Sequence, residues 1–165
     1  MSAWRQRVLV AGIGNPLAGD DGIGEVVART LAADPLPPGV EVRYPGTDPL
    51  VVLSWLGEGA RVLVIDACRH GGMPGEAVLF RLDDPDWKER EAPLSLHGID
   101  LETAARLGRE LGVPLRNALV LGIEPASVEP GRGLSRELLA AVPRLVEMAR
   151  QATWALLREE REVKR

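Results

Sequence analysis

Residues 61–67, RVLVIDA, constrain this chain more than any other stretch. An apolar, β-branched run that ends in an acid is the strongest strand signal in the sequence. Residues 7–12 (RVLVAG) form a similar run that stops at glycine, the pattern of a strand buried on both faces. Residues 117–124 (NALVLGIE) supply the last such run. Between them lie stretches with helical spacing. In 22–33, Ile23, Val26, Val27, Ala28 and Leu31 fall on one face, and the PLPPG at 35–39 ends the helix. Residues 48–57 enter a helix through Asp-Pro, with proline in its first turn. Residues 98–112 form another helix, with Gly112 just past its end. From Ser135, an expected N-cap with Glu137 in the first turn, a long helix runs towards the terminus, and Pro143 is expected to kink or split it. Residues 40–45 and 76–82 read as further strands. The second is expected at an antiparallel edge, because only a short glycine loop precedes it. Residues 83–96 read as a surface loop. Alternating strands and helices of this kind build one α/β domain around a mostly parallel sheet.

The chain has 165 residues, enough for one domain with its own core. A net charge of −4 argues against non-specific binding to nucleic acid. Cys68 is the only cysteine, which excludes an internal disulfide framework and makes the cytoplasm the expected compartment. No run approaches the length of a membrane span, and the N-terminal apolar run is short for a signal peptide.

Ligands of open α/β sheets sit in the crevice outside the carboxyl ends of the strands. The first strand leads there into Asn15, Asp20 and Asp21, the central one ends at Asp66, and the last ends at Glu124. His97 precedes the 98–112 helix. The opening loop, GIGNPLAGDDGIG (12–24), fails as a phosphate cradle. Leu17 stands where a dinucleotide fingerprint needs its third glycine, two carboxylates repel phosphate, and no Gly-Lys-Ser/Thr follows. Two carboxylates and an imidazole suit a borderline divalent ion such as zinc or nickel, with coordination positions left open. Structural readings stand beside this one. At least one of Asp20 and Asp21 is expected to cap a helix, Asp66 also reads as a turn cap, and His97 as a structural imidazole. Cys68 reads as a small core residue. A Cys68 nucleophile would need His70 or His97 and has no supporting motif.

Four segments taken in order, GIGNPLAGDDGIG (12–24), VIDA (64–67), SLHGID (95–100) and GIEPASVEPGRGLS (122–135), resemble the maturation endopeptidases of [NiFe] hydrogenases. The resemblance spans roughly residues 7 to 150. It implies a single domain over 1–165, with a twisted, mostly parallel sheet of about five strands and helices on both faces. It further implies an endopeptidase that removes the C-terminal extension of the hydrogenase large-subunit precursor after nickel insertion. Asp21, Asp66 and His97 occupy the family's metal-contacting and catalytic positions. Gly14, Asn15, Asp20, Gly46 and Thr47 are the expected substrate-binding residues; the last two lie in a PGT turn (45–47) like the family's. The nickel is expected to arrive on the substrate, with zinc or cadmium able to take its place. The implied partner is the precursor, the expected state a monomer, and neither nucleic acid nor membrane is expected as a partner. Two other readings are a non-catalytic, metal-dependent chaperone for the nickel-loaded precursor and a nucleotide-binding α/β protein.

Overall fold

A computed structural model describes residues 7–84 and 100–163. Among the described residues, five strands form one sheet: β1 (Val8–Gly12), β2 (Val40–Arg43), β3 (Arg61–Ala67), β4 (Ala77–Arg81) and β5 (Ala118–Ile123). Their spatial order is β2-β1-β3-β5-β4. The pairs β1–β2, β1–β3 and β3–β5 are parallel, and only β4 runs antiparallel, along β5 at the edge. The short glycine-containing turn between β3 and β4 leaves no room for the crossover that a parallel pair requires, so the expected antiparallel edge strand is found.

Four α-helices among the described residues cover the sheet: α1 (Ile23–Ala32), α2 (Leu50–Gly57), α3 (Leu101–Glu110) and α4 (Arg136–Val163). The pleat sends alternate residues of each buried strand to opposite faces. Val8, Val10, Leu63, Ile65, Leu119 and Leu121 pack with Ile23 and Val27 of α1 and with Leu138, Leu145 and Ala149 of α4. Leu9, Ala11, Val62, Val64 and Val120 pack with Leu53 and Leu56 of α2 and with Leu101 and Ala105 of α3. The lack of polar–apolar alternation in the central strands thus has its cause: both sides face a core.

Local chemistry sets the helix ends. Asp48 Oδ1 accepts the Leu50 N–H at 2.8 Å where α2 begins. Asp100 caps α3 by accepting the Thr103 N–H at 2.6 Å. Ser135 caps α4, its hydroxyl accepting the Leu138 N–H at 3.3 Å. The expectation that Pro143 could split the last helix needs correction, because α4 runs unbroken through it. Pro143 lies exposed, as does Leu139 one turn earlier, so the ring sits on the outer side of the helix, away from the core. Among the described residues, no helix is long and apolar enough to cross a membrane. Most of the expected 83–96 loop, and His97, lie outside the described residues.

Candidate active site

Four parallel strands carry the chain to one edge, and the loops beyond their carboxyl ends assemble the site. After β1 the backbone turns sharply at Gly14, whose φ is +138°. A Cβ there would lie 1.9 Å from the Asp21 carbonyl oxygen, so glycine is required for the loop to fold back on itself. A 3-10 turn, Gly19–Gly22, then leads into α1. That turn packs against β3. Gly24 allows the approach: a Cβ on it would come within 2.3 Å of the carbonyl oxygens of Ile13 and Ile65. The loop is also tied to the turn after β2, because the Gly14 N–H donates to the Gly46 carbonyl at 2.8 Å.

The expected helix cap is not found at either acid. Gly22 occupies the N-cap position of α1, without a side-chain cap bond, because the 3-10 turn intervenes and points both aspartates inward. Asp21 is 2% exposed, and its Oδ2 accepts the Asn15 N–H at 2.8 Å. Asp20 is wholly buried. Its Oδ2 accepts the N–H groups of Ala126 (2.8 Å) and Ser127 (3.0 Å), and its Oδ1 that of Ser135 (2.6 Å). Burial of a carboxylate is costly unless hydrogen bonds replace its water, and three backbone donors do so here. Asp20 therefore ties the glycine loop to the segment that follows β5.

Asp66 is 3% exposed near the end of β3, in register with Gly122 of β5. The turn beyond it is held by Glu124, whose Oε2 accepts the N–H groups of His70 (2.6 Å) and Gly71 (3.1 Å). The Glu124 backbone bonds both ways across the same turn, from its N–H to the Glu76 carbonyl and from its carbonyl to the Gly75 N–H, each 2.9 Å. Arg144 of α4 adds a bond to the Gly75 carbonyl at 2.6 Å. Cys68 is buried, and burial, with Asp66 and Glu124 as nearby negative charges, pushes its thiol far above the ordinary value. A thiol kept protonated is a core residue and not a nucleophile.

The structure thus brings Asp21 and Asp66 to the carboxyl edge of the adjacent strands β1 and β3. Gly14 and Asn15 lie in the loop beside Asp21, and the exposed Gly46 and Thr47 lie on the neighbouring turn. His97 lies outside the described residues, and among those described no three His, Cys, Asp or Glu side chains form a metal-holding cluster. Two buried carboxylates fit the oxygen-donor half of a site for a borderline divalent ion. Two roles escaped the sequence reading, that of Asp20 as a staple and that of Glu124 as the latch of the β3–β4 turn. Their partners lie 106 to 115 and 53 to 54 residues away, so no local pattern marks them.

Fold and site together define a class: α/β proteins whose open, mostly parallel sheet offers buried carboxylates at its crevice in place of a phosphate-binding loop. Residues 26–152 match the family model described as hydrogenase maturation protease. The hydrogenase expression/formation protein HupD of Rhodobacter capsulatus is 32% identical over 136 residues, which cover 82% of this chain and 65% of HupD. The chain thus spans just under two thirds of that relative's length. Among solved structures, the hydrogenase maturating endopeptidase HybD of Escherichia coli matches with a TM-score of 0.74 and 26% identity, covering 88% of this chain and 91% of HybD. The [NiFe] hydrogenase maturation protease HycI of Thermococcus kodakarensis matches with a TM-score of 0.68 and 25% identity over 93% of each chain. The chain belongs to the hydrogenase maturation protease family.

Proposed function

We propose that this chain is an endopeptidase that removes the C-terminal extension of a [NiFe] hydrogenase large-subunit precursor once nickel has been inserted. The observation that carries the reading is the placement of two buried aspartates, Asp21 and Asp66, at the carboxyl ends of adjacent central strands in a chain of this family. In this reading nickel belongs to the substrate. Asp21, Asp66 and His97 complete its coordination, so a precursor without metal gives them nothing to grip. The ion then docks the precursor and polarises the scissile carbonyl or an attacking water, while a carboxylate accepts the proton. Gly14, Asn15, Gly46 and Thr47 line the rim along which the substrate chain approaches. Zinc or cadmium, which accept similar donors, can occupy the same three residues.

The test is a processing assay on purified precursor, with and without inserted nickel, read by intact mass. Loss of a C-terminal peptide from the nickel-loaded form alone is expected. Tight binding with no change in mass would replace the peptidase with a non-catalytic chaperone.

A further inference from the structure

The molecule devotes a wholly buried carboxylate, Asp20, to a segment far away in sequence, and that segment borders the site. Between Pro125 and the start of α4 the chain makes a loop whose described bonds to the rest of the fold go to the glycine loop. Asp20 holds it at both ends, through Ala126 and Ser127 on one side and Ser135 on the other. Backbone bonds follow the same seam: Asp20 N–H to the Ser127 carbonyl (2.8 Å), Gly19 N–H to the Arg132 carbonyl (3.0 Å), and Gly131 N–H to the Leu17 carbonyl (2.9 Å). Gly19 also has no room for a side chain, since a Cβ there would lie 2.8 Å from the Ser127 carbonyl oxygen. Residues 129–133, by contrast, are all exposed, with Glu129 and Arg132 pairing at 3.3 Å on the outer surface. A staple made only to support the core would join buried elements. This one joins two loops at the carboxyl edge of the sheet, one of which carries Asp21.

Given the endopeptidase proposed above, we propose that Asp20 is a positioning residue: it fixes the 126–135 loop as a ledge beside Asp21, and the precursor's C-terminal chain lies against that ledge. Asp21 grips the substrate, whereas Asp20, expected from the sequence among the substrate-binding residues, is wholly buried and spends its carboxylate on backbone N–H groups, so in this proposal it acts through the loop. Removing the staple should therefore loosen the ledge and weaken substrate binding more than it slows the chemical step.

The test compares wild type, Asp20→Asn and Arg132→Glu for affinity towards nickel-loaded precursor and for the KM and kcat of cleavage. Backbone amide exchange is followed at Ala126, Ser127 and Ser135. Asparagine keeps the shape but offers one acceptor oxygen where aspartate offers two. Asp20→Asn should speed exchange at those amides and weaken precursor binding about tenfold, with KM rising more than kcat falls. Arg132→Glu, on the exposed ledge, should weaken binding without altering amide exchange. Wild-type affinity in a folded Asp20→Asn variant whose loop amides exchange faster would overturn the proposal. Should Asp20→Asn fail to fold, Arg132→Glu decides, and unchanged affinity there would overturn it. Wild type that binds the precursor without cutting it would defeat the peptidase reading alone, because the affinities still report on the ledge.

Discussion

The loop after β1 and the turn after β3 are built alike and braced differently. Each leaves the carboxyl end of a central strand, each contains or follows a buried aspartate, and each is held by a second carboxylate that accepts backbone N–H groups. In the first region the brace, Asp20, is the chain neighbour of Asp21 and reaches out to a loop 106 to 115 residues away. In the second the brace, Glu124, comes from beyond β5 and reaches in to His70 and Gly71. Brace and candidate ligand are therefore rigidly coupled at the glycine loop and separately mounted at Asp66. Of these four acids, Asp20 and Glu124 tie together segments far apart in sequence, whereas Asp21 accepts an N–H of its own loop and Asp66 lies buried near the end of β3.

That division can be broken experimentally. The largest effect is expected from the proposed ligands: Asp21→Asn, Asp66→Asn and His97→Ala should each lower kcat/KM for precursor processing by about 10²- to 10⁴-fold. Circular dichroism and melting should report a folded protein in each case. Wild-type cleavage by any of the three would remove that residue from the site.

Glu124→Ala should act on stability first. It leaves two N–H groups of a partly exposed turn without their carboxylate acceptor and should cost about 1–2 kcal/mol, read from the urea midpoint. Glutamine at this position keeps an acceptor oxygen and should recover part of the loss. If Glu124→Ala instead left stability intact and abolished processing, Glu124 would belong with the ligands and the comparison would fail.

The smallest effect concerns Cys68. Burial is the main cause of its raised thiol pKa, with Asp66 and Glu124 adding to it. The unfolded chain releases the thiol proton near the ordinary value of 9.0, while the folded chain retains it. Above that pH the unfolded state binds fewer protons, so stability should fall as pH rises, by at most about 1.4 kcal/mol per pH unit. Below it the thiol contributes no slope. Denaturant titrations between pH 8 and 10 should show the decline in wild type and a shallower one in Cys68→Ala. Equal slopes would mean the thiol ionises freely in the folded protein.

Much of this fold was legible in residues alone. The uninterrupted apolar runs at β1, β3 and β5 require cover on both faces, and the short connection before β4 requires an antiparallel partner. Ser135 and Asp48 mark helix starts through bonds spanning two or three residues. Pro143 misled because whether proline breaks a helix depends on how the rest of that helix is packed, and that is set by the fold and not by the local sequence.

The sheet, its two covered faces and the acids at its carboxyl edge could be read from residues, because strand burial, turn chemistry and motif order are written within short stretches of chain. That Asp20 and Glu124 are braces emerged from the folded chain. A carboxylate's role depends on which donors surround it, and those donors arrive from segments that folding alone brings near.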